Sequence, residues 1–160
     1  MWILLLSLAS AGGCNLPTLR TSMTVLDGDL AQRWWAVEEQ AKRVEKDLQC
    51  LKEPVDQATL LKIHEQLAVA AHIRKDFDAA AAHLVAAWIS QPMMVFPATI
   101  PTTSPARGRF AALQEEILSD GVVVQLDRPA YVDGHFAGWV YEGLPMIVQE
   151  PGKRPRIMTR

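Results

Sequence analysis

The sequence predicts an α+β protein: an N-terminal helical unit followed by a small antiparallel β module. Two observations carry that reading. From Asp27 to Asp120 apolar residues recur at helical spacing, and breaks fall at Pro54, at the Arg74-Lys75-Asp76 triplet and around Pro92. From Gly121 onward the pattern changes to short runs rich in Val, Ile, Tyr and Trp, punctuated by Asp-Gly, Glu-Gly and Pro-Gly pairs. The chain has 160 residues and a formal net charge of −2. It is long enough for one modest domain, or for a helical unit with an appendage. That charge provides no field for nucleic acid, so no nucleic-acid partner is expected.

Residues 2–11 (Trp-Ile-Leu-Leu-Leu-Ser-Leu-Ala-Ser-Ala) are too short to span a bilayer, which takes roughly 20 apolar residues. They have the length of a signal-peptide core. The run ends in Gly12-Gly13 and is followed at once by Cys14. This arrangement resembles a bacterial lipoprotein export signal. The resemblance implies that residues 1–13 are removed, that lipid is attached at Cys14, and that the protein is held on the periplasmic or outer surface of the cell envelope. An ordinary secretory signal cut after Ala9-Ser10-Ala11 is the alternative, and an N-terminal helix of a cytosolic core is another. Residues 14–26, with Pro, Thr and Ser, are expected to form a tether. Cys50 is then left alone and is read as a small apolar residue. Two cysteines make no disulfide framework and no zinc spacing.

The helical unit is expected over residues 27–120. Leu30, Trp34, Val37, Ala41, Val44, Leu48 and Leu51 step by four and three, the seam of one long amphipathic helix laid on its neighbours. Glu38–Lys42 and Glu39–Arg43 are favourable i,i+4 pairs on its polar face. Trp35 lies beside the seam, either widening the buried face or standing out as an anchor for a partner. Pro54 ends this helix and Asp56 caps the next, whose apolar face includes Leu60, Ile63, Leu67 and Ala71. A third helix starts at Phe77, carries Ala80, Ala81, Leu84, Val85 and Trp88, and ends by Pro92, so that the two form a helical hairpin. Leu67-Ala68, Phe77, Ala80, Leu84, Ala87 and Pro92 together resemble the tetratricopeptide (TPR) pattern over Gln57–Pro92. The hairpin is therefore expected to be TPR-like, one repeat and not an array.

Residues 92–105 contain four prolines and the run Met93-Met94-Val95-Phe96. Two uses are open: the run folds back on the hairpin, or it forms an adaptable apolar binding patch. Ser104 is placed to cap a fourth helix with Pro105 at its first position, sending Phe110, Leu113, Ile117 and Leu118 inward.

In the β module, residues 121–160, strands are expected at residues 122–126, 130–132, 138–141 and 146–149, with a last one near 156–159. Tyr131-Val-Asp-Gly-His, Ala137-Gly138, Leu144-Pro-Met-Ile-Val and Pro151-Gly152 resemble a PEGA-type module. That family occurs in bacterial envelope and surface proteins, so the resemblance implies a non-catalytic accessory unit. Lys153, Arg154, Arg156 and Arg160 read as charges that guard an edge strand.

Few residues suggest chemistry. His64, His72, His83 and His135 are the histidines, and the His-Glu-x-x-His spacing of zinc proteases is missing after His64. They are read as packing or surface residues, and Asp133 as part of a turn. Neither metal nor other cofactor is expected, and no catalytic residue is assigned. The expected function is non-catalytic binding or scaffolding in an envelope assembly, through Trp35, Met93, Met94 and Phe96, toward an envelope protein partner. Alternatives are an accessory lipoprotein of a secretion or pilus machine and a small carbohydrate-binding domain using His135, Trp139 and Tyr141.

Overall fold

The computed structural model describes residues 13–159, so the signal expected over residues 1–13 lies almost wholly outside them. Among the described residues five helices precede a four-stranded antiparallel sheet, as the predicted α+β class requires. The helices are α1 (Leu16–Gln32), α2 (Val37–Cys50), α3 (Gln57–Ile73), α4 (Phe77–Ser90) and α5 (Pro105–Asp120). A 3-10 turn, Trp34–Ala36, joins α1 to α2. The strands are β1 (Val123–Val132), β2 (His135–Tyr141), β3 (Met146–Gln149) and β4 (Arg156–Met158), in the order β2-β1-β3-β4. None of the described helices is long and apolar enough to cross a membrane.

The N-terminal part differs from the sequence expectation in two ways. Residues 16–26 are helical and do not form a tether. Asn15 caps α1 by accepting the Thr18 N–H at 2.9 Å, and Pro17 sits in its first turn. Leu16, Leu19, Met23, Leu26 and Leu30 follow helical spacing, and Leu19 and Leu26 are fully buried. Burial of that stripe outweighs the weak helix preference of the Thr and Ser residues between. The long seam from Leu30 to Leu51 is also broken. Arg33 leaves the helical region at φ −130° and its guanidinium turns back to Asp29, with Nε 2.6 Å from Oδ1. The chain then reverses, so α1 and α2 pack as a hairpin and Trp34, expected on the seam, is exposed.

The α3–α4 hairpin and α5 form as expected. Asp56 caps α3 at Thr59, Asp76 caps α4 at Ala79, and Ser104 caps α5 at Ala106. Lys75, at φ +64°, makes the tight turn between α3 and α4. Small residues such as Ala68, Ala71, Ala80 and Ala81 are buried between α3 and α4, with Leu84 filling the gap above them. On α5 Phe110 is buried and Leu113 and Ile117 pack on the core, but Leu118, expected to point inward, is exposed.

The two short runs expected at residues 122–126 and 130–132 are one strand, β1, whose register with β2 shifts between Gln125 and Ala130. Asp133 and Gly134 close the β1–β2 hairpin at φ +46° and +85°, the geometry of a two-residue type I′ turn. All four residues of β3 are buried. Met146 and Val148 enter the core formed by α3, α4, α5 and the sheet, while Ile147 enters the core of α1, α2 and α3. Gln149 fixes this strand to the α2–α3 connection. Its Oε1 accepts the Val55 N–H at 2.7 Å and its amide donates to the Val55 carbonyl at 3.2 Å. The sheet is thus held through β3, between two helical layers.

Candidate functional site

Three groups of residues stand out. The first is an apolar surface. Trp34 and Trp35 are 69% and 66% exposed, and Met93 and Val95 are 86% and 83% exposed. The alternation in the connector is physical: Met94 and Phe96 fold back on the core while Met93 and Val95 face out. Phe96 meets Phe110 edge-on at 4.7 Å and has the Arg107 guanidinium 3.9 Å above its ring. The fold-back expected for the run therefore holds for Met94 and Phe96, while Met93 and Val95 stay exposed. Of the predicted binding residues, Trp35 and Met93 are open, and Met94 and Phe96 are partly covered. A groove of about 250 Å³ runs between the end of α1 (Leu30, Ala31) and the connector (Pro97, Ala98, Thr99), across Lys62 and Glu65 of α3. Burial raises the Glu65 carboxyl above its ordinary range. The groove is lined by α1, which the tryptophan turn follows, and by the connector that carries Met93.

The second group is a buried polar chain. His64 and Asp133 are almost wholly inaccessible, and His64 Nε2 lies 3.0 Å from Asp133 Oδ1. The same oxygen accepts the Ile147 N–H at 2.8 Å. On its other side, His64 Nδ1 lies 3.1 Å from His83 Nδ1. With the carboxylate accepting, His64 carries a proton on Nε2, and one of the two facing Nδ1 atoms donates to the other. His83 also lines a cleft of about 330 Å³ with Asp78, Ala82, Gly143, Pro145 and Thr159. Both nitrogens of His64 are committed to hydrogen bonds, and no metal-holding group occurs among the described residues. Asp133 is accordingly more than a turn residue. Its side chain ties the tip of the β hairpin to α3 and, through His64, to α4. The tip also comes close to α3: a Cβ on Gly134 would stand 2.8 Å from Gln57. The sequence signal available for this link was an Asp-Gly turn with two helical histidines, and their spatial meeting depends on long-range packing.

His83 is held well below its ordinary pKa of 6.5, first by desolvation, then by repulsion from His64 and Arg74. The sign follows directly. Below pH 6.5 the unfolded chain takes a proton at His83 that the folded chain refuses, so stability falls as the pH drops through that region. Urea midpoints measured from pH 7.5 to 5 are expected to decline in the wild type, and His83→Gln is expected to flatten that decline. Equal slopes would show that His83 does not govern it.

The third group is Cys14 and Cys50. Their sulfurs are bonded, with Cα atoms 5.3 Å apart, and the bond closes the open end of the α1–α2 hairpin. This corrects the reading of Cys50 as a lone apolar residue. A sulfur in this bond is unavailable for lipid, so disulfide and lipidation at Cys14 are alternative fates of one atom.

The residues suggested for carbohydrate binding do not converge. His135 Nε2 lies 2.9 Å from the Gln57 amide nitrogen and 3.3 Å from the Ser90 carbonyl, and Trp139 and Tyr141 pack edge-on against each other at 5.1 Å. Comparison with protein-family models, curated proteins and solved structures gives no match for this chain.

Proposed function

We propose that this protein is an exported, non-catalytic scaffold of a bacterial cell-envelope assembly, which binds an envelope protein partner along the groove between α1 and the proline-rich connector. The observation that carries the proposal is the exposure of Trp34 and Trp35, on the turn that follows α1, and of Met93 and Val95 in the connector, α1 and the connector both lining that groove. Exposed large apolar side chains mark contact surfaces, and tryptophan is prominent among the residues that dominate binding energy. Export is supported by the Cys14–Cys50 bond, since disulfides persist in oxidising compartments. Anchoring through lipid at Cys14 belongs to the same proposal, as the state in which that bond is open.

The test is crosslinking in the native envelope fraction with wild type and a Trp35→Ser/Met93→Ser variant. Both positions are exposed, so the variant is expected to keep its unfolding free energy within about 0.5 kcal/mol of the wild type. It is expected to lose a specific crosslinked partner, with affinity reduced by about 2 kcal/mol or more. An unchanged crosslinking pattern would remove this surface from the proposal. Intact masses of the wild type and Cys14→Ser from the membrane fraction report lipidation separately.

A further inference from the structure

Cys14, a basic turn and a pair of exposed aromatic rings meet at one end of the molecule. Cys14 is exposed and directly precedes Asn15, the cap of α1, and its bond to Cys50 sets it against the end of α2. The Leu16 N–H donates to Glu53 Oε1 at 2.8 Å, a contact to the α2–α3 connection that involves neither cysteine. Lys52, Glu53 and Pro54 of that connection line a pocket of about 230 Å³ together with Glu150, Lys153 and Pro155 from the turn between β3 and β4, and with Tyr131 of β1. Phe136, 69% exposed, meets the Tyr131 ring edge-on at 5.6 Å.

The charge at this end is basic, although the chain as a whole is net −2. Lys52, Lys153, Arg154 and Arg156 are exposed. The two acids on the pocket are already engaged. Glu53 holds the Leu16 N–H, and Glu150 is paired with both Lys153 and Arg156. The Glu150 carboxyl is held below its ordinary range, first by the Lys153 hydrogen bond and then by the charges of Lys153, Arg156 and Arg128, which brings a further cation to the same place.

We propose that this end is a membrane-contact surface, on which Lys52, Arg128 and the basic turn at residues 152–156 rest on anionic lipid headgroups while Tyr131 and Phe136 enter the headgroup layer. The proposal rests on the reading of Cys14 as a lipid anchor. That anchor also chooses the occupant. Residues 16–26 are helix and leave no tether, so a lipid on Cys14 brings this end of the fold directly against the bilayer. Basic residues beside an anchored site are drawn to anionic lipid, and one lipid signal joined to a basic patch gives an attachment that a single chain does not. Aromatic rings favour the interface between headgroups and acyl chains.

The test is partition of the full chain onto vesicles of phosphatidylcholine alone, and onto vesicles with about 30% phosphatidylglycerol added. An apolar or acyl contribution acts on both, so their ratio reports headgroup charge. The wild type is expected to favour the anionic vesicles about tenfold or more at low salt, since each Lys or Arg at the surface contributes about fivefold. That preference is expected to fade as added salt screens the charges. Lys153→Glu combined with Arg154→Glu is expected to cut the ratio about tenfold or more. Arg74→Glu combined with Lys75→Glu makes the same change of charge at the other end of α3 and is expected to leave the ratio within about twofold of wild type. Phe136→Ser is expected to weaken partition onto both vesicles about threefold or more, with the ratio kept. A wild-type ratio near one overturns the proposal. Equal losses in the two charge-reversed variants overturn it as well, because net charge and not this surface would then set the preference. The vesicle ratio reports on this surface and the intact mass on lipid at Cys14, so the two readings fail separately.

Discussion

Asp133→Ala is expected to destabilise the protein by about 3–5 kcal/mol, seen as a lower urea midpoint with an unchanged slope. The carboxylate oxygen Oδ1 accepts both the His64 ring N–H and the Ile147 backbone N–H, and all three groups are buried. Removing it strands two buried donors, each at a cost of about 1–3 kcal/mol. Alanine must also hold the φ of +46° that Asp133 adopts in the turn, a region that Asp and Asn tolerate and Ala does not. Asp133→Asn separates these contributions. Its amide oxygen accepts as before and its backbone suits the turn, so its cost is expected to be about 1–2 kcal/mol. The ratio of the two losses is the informative quantity. If Ala and Asn cost the same, the carboxylate is not what binds the hairpin tip to the helices. The same link predicts that loss of Asp133 loosens β3 as well as the turn, because Ile147 places the strand between the helical layers.

The second large effect is expected for Cys50→Ala. The bond to Cys14 spans 36 residues of sequence, and releasing a loop of that size costs about 3–4 kcal/mol on the chain-entropy account. Cys50 is only partly buried, so truncating the side chain itself removes little packing. This makes the experiment decisive between the two fates of Cys14. In the disulfide state Cys50→Ala lowers stability by the full amount, and reducing agent lowers the wild type to the same level. In the lipid-bearing state Cys50 is already free, so the substitution costs less than about 1 kcal/mol and reductant has no effect. Stability of material from the membrane fraction, measured with and without reductant, therefore tells which state the envelope protein occupies.

Much of the local structure was legible in the sequence because local rules write it. Asp56, Asp76 and Ser104 are caps whose side chains satisfy helix-end N–H groups regardless of what packs nearby. Asp133-Gly134 demands a turn because these residues accept positive φ. The change near Gly121 from helical spacing to short runs rich in β-branched and aromatic residues marks the passage from α5 to β1. Those features determined the α+β class and the α3–α4 hairpin. They also suggested Trp35 and Met93 as open apolar residues, though not that Trp34 joins them.

Only the tertiary structure decided the rest. Residues 16–26 become helix because Leu19, Met23 and Leu26 find α2 and α3 to pack on, a gain that local composition does not contain. Trp34 leaves the apolar seam because the chain reverses at Arg33, and periodicity is blind to a reversal that keeps its spacing. Met94 and Phe96 are withdrawn from the exposed surface by contacts with the core and, for Phe96, with Phe110 and Arg107 of α5. His64, His83 and Asp133 come from three elements up to 69 residues apart, and Cys14 meets Cys50 across a hairpin. Helix caps and turns depend on a few neighbouring residues, so the sequence determined them by itself; buried polar links and covalent cross-links depend on which distant surfaces meet, and that is settled by the packing of the whole chain.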